Sequence, residues 1–366
     1  MPFLYQTFYN FRNLKNDTID LSSREVYFVG ENGQGKSNIL ESLYYSAYGI
    51  SFRTHIDSQI VKEGQKDFSL NSLYKKTEND IHKVSVIYEN NKKRIDKNGK
   101  KIQDRKELIN TIPCILFCYE DMKFATGEPE DRRFFVDQSL TLNDSTYIDD
   151  VRNYKKILKS RNLILKNHEY EMLDIYDNQL ASLGLIIQSK RKKAIFQFNE
   201  IFEKIFEEIT GISGLSIVYD PSWKEIICDV GKKFPDTGDI LNYLKDKREV
   251  DRAMETTMSG PHRDRINFVK DGKIFTNTAS TGQCRLISLI LRVAQAIFVT
   301  RVTESKPVLL MDDVLLELDP DKRAKLTTML PDYDQLFCTF LPGEPYERYK
   351  RDTTRIYSIK GGEWYE

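Results

Sequence analysis

The spacing of hydrophobic positions changes several times along the chain, and each change marks an element. Val26-Tyr27-Phe28-Val29 is an unbroken apolar run, the pattern of a short buried strand. Between Asn38 and Tyr48, residues Ile39, Leu40, Leu43 and Tyr44 share one helical face. Lys83 to Ile102 contains alternating runs with turn signals at Asn90-Asn91 and Asn98-Gly99, which predicts a β-meander. Ile112 to Tyr119 is another apolar run. From about Thr146 to Ile209 apolar residues recur three and four apart, and Gly184 is the single glycine. This predicts a helical arm, a hairpin turning near Asn167-His168, without the clean heptads of an extended coiled coil. Gly211 to Gly214 ends it. Strand character returns at Leu215–Val218 and Ile226–Val230, then a charged helix over Asp239–Met254, and a helical run over Cys284–Phe298. There is no internal repeat and no low-complexity linker.

Between the first strand and its helix lies Gly30-Glu31-Asn32-Gly33-Gln34-Gly35-Lys36-Ser37, which fills the phosphate-loop pattern G-x-x-x-x-G-K-[ST]. The glycines allow a tight turn with inward N–H groups, Lys36 supplies a point charge for β- and γ-phosphates, and Ser37 offers a hydroxyl to Mg²⁺. The bound phosphates would sit at a helix N-terminus.

A second set of chemistry-bearing residues lies far downstream. Val308-Leu309-Leu310-Met311-Asp312-Asp313 reads as a buried strand ending in two acids. Asp312 is expected to bind Mg²⁺, directly or through water, and Asp313 to orient or deprotonate an attacking water. About 275 residues separate Lys36 from Asp312, so a parallel-sheet core must close from the two ends of the chain with the other elements inserted. Ser280-Thr281-Gly282-Gln283 opens a helix about 30 residues ahead of the acidic pair, and its hydroxyl and N–H groups form a second candidate anion site.

Composition narrows the class. Charged residues are 30% and hydrophobic residues 40% of the 366, the balance of a soluble globular protein, and no run approaches the ~18 apolar residues of a membrane helix. The N-terminus has no basic segment and no cleavage site, so no export signal is read. Cys114, Cys118, Cys228, Cys284 and Cys338 are odd in number and scattered, as expected of reduced thiols in a cytoplasmic protein. Basic and acidic residues balance at 55 each, but positive charge clusters locally. Lys75 to Lys106 holds eleven Lys/Arg against five Asp/Glu, and Val151 to Lys166 holds six with no acid. A third cluster is Lys190-Arg191-Lys192-Lys193. Such clusters suit phosphate-backbone binding, and solvated helix faces or lysine-guarded strand edges account for any one of them equally well.

Taken together, these residues resemble the RecF family of SMC/ABC-type ATPases, which act in bacterial recombinational repair. The resemblance spans nearly the whole chain. It includes Asn10-Phe11-Arg12-Asn13, the phosphate loop, Ser51-Phe52-Arg53-Thr54, Glu128 to Asp137, Gln179-Leu180-Ala181 with Gly184, Ser259-Gly260-Pro261-His262-Arg263-Asp264, and the run from Leu310 to Asp319. It implies an α/β ABC/SMC-type ATPase head over residues 1–145 and 255–366, with the meander at about 68–119, and a mostly helical arm over 146–254. It implies an ATP-binding site of Arg12, Asn13 and Gly30 to Ser37, with Lys36, Arg53 and Asp313 catalytic and Ser37 and Asp312 holding Mg²⁺. Ser280, Thr281, Gly282 and Gln283 would act as a signature across an ATP-driven homodimer, and Asp319 would report between the subunits.

The implied partners are single- and double-stranded DNA, at gaps or junctions, and RecR/RecO-type mediators. DNA contacts would come from Lys92, Lys93 or Arg94, or from the arm. The chain departs from the family pattern at Thr281, Cys284, Leu316 and Tyr119, and Thr339 stands alone where a threonine-rich run is usual. These departures bear on hydrolysis rate and cross-dimer signalling more than on ATP binding. An SMC-like ATPase working outside repair, for example in defence, and a P-loop small-molecule kinase are the competing readings. His262 reads as a structural or phosphate-contacting residue more readily than a catalytic one.

Overall fold

In a computed structural model the described residues are 2–77, 80–109, 111–224, 236–314 and 318–366. The expected strand Ile226–Val230, Cys228, Leu316 and Glu317 lie outside them. The chain divides into two compact units, Met1–Asp121 with Gln295–Glu366, and Met122–Ala294. The boundaries expected at 145/146 and 254/255 both fall inside the second unit.

The first unit holds two sheets with a helix between them. One sheet is antiparallel, in the order β2 (Thr18–Asp20), β1 (Phe3–Tyr9), β4 (Phe68–Thr77), β5 (Asp80–Glu89), β6 (Lys92–Lys97), β7 (Lys100–Lys101). Asn90, Asn91, Asn98 and Gly99 all have positive φ at its tight turns, the conformation that two-residue hairpins demand. The other sheet is mostly parallel. Its order is β15 (Glu363–Tyr365), β14 (Thr354–Lys360), β3 (Glu25–Val29), β13 (Gln335–Phe340), β12 (Val308–Met311), β8 (Cys114–Phe117). Strands from both chain ends thus pair directly, β3 lying between β13 and β14.

The run Ile112–Tyr119 was expected to close the meander. Instead β8 pairs in parallel with β12 in the second sheet. All four of its residues are buried, and burial on both faces is what a parallel strand needs. Helix α1 (Lys36–Tyr48) buries Ile39, Leu40 and Leu43 in one core cluster with Val26 and Phe28 of β3, Leu310 of β12, and Phe3, Phe68 and Val84 of the antiparallel sheet.

The second unit contains short α2 (Met122–Thr126), α3 (Pro129–Thr141) and a long hairpin of α4 (Ser145–Asn167) and α5 (Leu173–Thr210). The hairpin turns where expected, with His168 left-handed at the end of α4. Three strands, β9 (Ser216–Asp220), β10 (Arg265–Lys270) and β11 (Lys273–Ile274), form a small antiparallel sheet. A Cβ at Gly184 would lie 2.4 Å from the buried ring of Trp223, which explains the lone glycine of the arm.

Helix Thr281–Thr303 is long and apolar enough, by length and composition, to cross a membrane. Most of it is buried within the protein, as in the core helix of a globular fold.

Candidate phosphate-loop site

The loop leaves β3 where β14 lies close against its backbone. Gly30 donates its N–H to Phe340 O at 3.1 Å, and a Cβ there would meet Ile359 O at 2.4 Å, so β14 excludes every other residue. Gly33 and Gly35 have φ of 77° and 115°. Lys36 is buried, and its ammonium donates to Gly30 O (2.7 Å) and Glu31 O (3.2 Å), which keeps it inside the loop. The turn between β14 and β15 clamps the loop from outside. Gly361 N donates to Gln34 Oε1 at 2.6 Å and Gly362 N to Gln34 O at 2.9 Å. Glu31, Asn32 and Gly33 are exposed.

Both downstream acids arrive at this loop. Ser37 Oγ donates to Asp312 Oδ1 at 2.8 Å. Thr339, at the end of β13, joins the pair: its hydroxyl lies 3.2 Å from Asp312 Oδ1 and 2.7 Å from Asp313 Oδ1, and it accepts from Asp313 N at 2.8 Å. Asp313 has φ 53°, a left-handed conformation that a non-glycine residue holds only at a cost. Burial pushes the Asp312 carboxyl up to about 6, the Asp313 charge pushes the same way, and the Ser37 and Thr339 bonds oppose it. A serine hydroxyl against a carboxylate whose proton affinity is already raised is a hard-oxygen donor set that fits a divalent cation. No group of three or more His, Cys, Asp or Glu among the described residues offers another metal site.

The remaining loop residues interlock through side-chain amides. Asn13 Nδ2 donates to Gly33 O (3.3 Å), Asn38 Nδ2 to Asn13 Oδ1 (2.7 Å), and Arg53 NH1 to Asn38 Oδ1 (2.7 Å). The residue that sequence reasoning missed is Glu41. It is fully buried on α1, one turn beyond Ser37, and accepts from Arg12 Nε (2.9 Å) and NH2 (2.7 Å), with Arg53 NH1 at 3.6 Å. A single acid inside an apolar helical face was its only signal in the sequence.

The other expected residues make local contacts of their own. Ser280, Thr281, Gly282 and Gln283 belong to the second unit. There Ser280 N donates to Gln283 Oε1 (2.8 Å) and Gln283 N to Ser280 Oγ (3.3 Å), a reciprocal cap on the helix that follows. Asp319 caps helix Pro320–Thr328, accepting from Lys322 N at 3.0 Å and pairing with its ammonium at 2.7 Å. Of the three meander cations, Lys93 is turned inward: its ammonium reaches Asp57, Tyr45 OH and Gly49 O. Lys92 and Arg94 are exposed, Arg94 pairing with Asp96 at 2.8 Å.

His262 is structural. Its Nε2 lies 3.0 Å from the Thr257 carbonyl, which can only accept, so Nε2 carries the proton and Nδ1 accepts from Tyr154 OH at 2.8 Å. Beside it, buried Asp264 accepts from Arg191, Tyr219, Gln188 and Ser222 N, so the Ser-Gly-Pro-His-Arg-Asp segment is a hub of the second unit.

The family model described as RecF/RecN/SMC N terminal domain matches residues 6–363. The chain is 46% identical over 359 residues to the DNA replication and repair protein RecF of Treponema pallidum (strain Nichols), covering 98% of this chain and 99% of that one. The chain belongs to the RecF family. The RecF of Clostridium perfringens (strain SM101 / Type A) is 33% identical, with 96% of both chains covered. Among solved structures, the recombination mediator protein RecF-ATP in the RecFOR pathway matches with a TM-score of 0.86 at 26% identity, over 100% of this chain and 97% of that one. An Smc head bound to the C-winged helix domain of ScpA matches with a TM-score of 0.55 at 14% identity, over 99% and 95%. That likeness extends the fold to SMC-type ATPase heads.

Proposed function

We propose that this RecF-like chain is an ATP-dependent DNA-binding protein of recombinational repair and replication-fork maintenance, working as a nucleotide-driven switch. The observation that carries the reading is the meeting of Ser37 with Asp312, which assembles a phosphate loop and its acidic partner from opposite ends of the chain. It is supported by full-length identity to RecF proteins of DNA replication and repair, and by likeness to a RecF-ATP structure.

In this reading Gly30 to Ser37 and Asn13 hold the ATP phosphates. Ser37 and Asp312 hold Mg²⁺, which when bound neutralises phosphate charge. Asp313 orients the attacking water, and Arg53 lies near the γ-phosphate. Arg12, expected to bind ATP, has its guanidinium committed to Glu41 and Gln59 O, so its part is to brace the site. Ser280 to Gln283 of a second copy would cap the γ-phosphate, with Asp319 reporting across that interface. Binding and dimerisation would then share one free energy.

Exposed cations, Lys92 and Arg94 or Lys155, Lys156, Lys159 and Lys166 of the arm, would hold the phosphate backbone of gapped or junction DNA. RecR/RecO-type mediators would be recruited to that complex. The deciding experiment is sedimentation with and without ATP-Mg²⁺ and a gapped duplex. The expected result is an ATP-dependent dimer, abolished by Lys36→Ala and prolonged by Asp313→Asn; a monomer under all these conditions would overturn the reading.

A further inference from the structure

Glu41 belongs to none of the motifs that mark the site, yet two of the site's cations converge on it. Its carboxylate is fully buried, and a buried carboxylate is tolerated only when paired and hydrogen-bonded. Oε1 accepts from Arg12 NH2 at 2.7 Å and from Ser51 Oγ at 2.5 Å. Oε2 accepts from Arg12 Nε at 2.9 Å and faces Arg53 NH1 at 3.6 Å. Ser51 Oγ in turn accepts from Arg53 N (2.9 Å) and Thr54 N (3.1 Å), so Glu41 fixes both ends of Arg53, its backbone through Ser51 and its guanidinium by charge.

Arg12 carries a further mark of constraint. Its φ is 52°, and its guanidinium donates three bonds, two to Glu41 and one to Gln59 O at 2.7 Å. A left-handed arginine persists only where its surroundings over-determine it. Arg53 continues to the loop through Asn38 and Asn13 to Gly33 O. Its charge also reaches Asp312, on which it acts to lower the proton affinity.

We infer that Glu41 is a positioning residue for ATP turnover: its carboxylate is the shared counter-charge that sets Arg53 toward the phosphate and metal side of the loop and locks Arg12 against α1. This rests on the proposed ATPase reading. Among the described residues the Glu41 carboxylate meets Arg12, Ser51 and Arg53 and not the loop backbone or Lys36, so its loss leaves phosphate binding to the loop and falls on turnover.

The test compares wild type, Glu41→Gln, Arg53→Ala and the double variant. Glu41→Gln keeps the size of the side chain and one acceptor but removes the charge. Its kcat is expected to fall on the order of 10- to 100-fold while KM for ATP moves by less than about threefold. In the double variant the losses should not multiply, because Glu41 acts through Arg53. Multiplicative losses, or an unchanged kcat, would overturn the inference.

A second readout does not depend on ATP. In the Arg side-chain NMR spectrum, the Arg12 Nε–H should exchange measurably faster in Glu41→Gln than in wild type; equal protection in both would sink the positioning role. Should wild type neither bind nor hydrolyse ATP, the functional proposal fails, and the Arg12 resonance alone decides whether Glu41 orders this arginine.

Discussion

Ser37 and Asp312 are 275 residues apart in sequence, and the serine hydroxyl donates to the aspartate at 2.8 Å. The contact exists because β12 and β3 flank β13 in one parallel sheet, so their C-terminal ends deliver the acid and the loop to the same edge. The bond does not fully offset the burial of Asp312, whose carboxyl is pushed up to about 6 beside Asp313. In the folded chain it therefore keeps its proton to higher pH than in the unfolded chain. Between about 4 and 6 the folded state binds the extra proton, and its stability falls as pH rises through that window. Asp312→Asn should be more thermostable than wild type above pH 6, with the advantage shrinking toward pH 4, in melting curves without nucleotide. The same variant should lose the Mg²⁺-dependent part of any stabilisation by ATP.

Thr339 couples the two acids. Its hydroxyl accepts from Asp313 N at 2.8 Å, at a residue whose φ of 53° already stores strain. Thr339→Val has nearly the same shape and leaves that N–H without its acceptor, at a cost of about 1–3 kcal/mol. Urea unfolding should register the loss, and Thr339→Ser, which keeps the hydroxyl, should recover most of it. ATP turnover should fall in the valine variant and survive in the serine one.

The phosphate loop, the acidic pair and the helical hairpin were legible in the sequence because short-range pattern determines them. Gly33 and Gly35 occupy backbone conformations only glycine adopts readily, and a strand ending in Asp-Asp has few other readings. What stayed hidden depends on distant partners. The run Ile112–Tyr119 is apolar whether it closes a meander or enters a parallel sheet, and only β12 decides between them. Lys93 looks like its neighbours Lys92 and Arg94 until Asp57 and Tyr45 are placed beneath it. Glu41 reads as one polar interruption of a helix, because nothing local shows that Arg12 and Ser51 converge on it.

His262 should give the second unit an acid sensitivity. Burial and the nearby Arg263, Arg133 and Arg161 hold its pKa down, at about 4 instead of 6.5, with the Thr257 carbonyl opposing. Its imidazole is neutral in the fold, while the unfolded chain takes up a proton near 6.5. Stability is thus complete above about 6.5 and drains as pH falls toward 4, by about 3 kcal/mol at the limit. His262→Gln can still donate to Thr257 O and accept from Tyr154 OH without titrating. Circular dichroism melts from pH 7.5 to 4 should show a flatter profile for glutamine than for wild type; parallel profiles would exclude His262 as the source.

Gly362 controls the phosphate loop from the far end of the chain. Its φ is 83°, and a Cβ there would lie 2.0 Å from the Asn13 carbonyl oxygen, which is backbone and cannot swing aside. Gly362→Ala must therefore displace the turn between β14 and β15, and with it the two bonds that clamp Gln34, from Gly361 N and Gly362 N. Gly64→Ala is the matched control: φ is 79° and nothing lies within 4 Å, so it bears only the left-handed strain of about 1–2 kcal/mol. Gly362→Ala should cost more stability than this control and should weaken the binding of a fluorescent ATP analogue, on the order of tenfold for ~1.4 kcal/mol of lost loop order. Equal nucleotide affinity in the two variants would mean that the clamp on Gln34 is not part of the site.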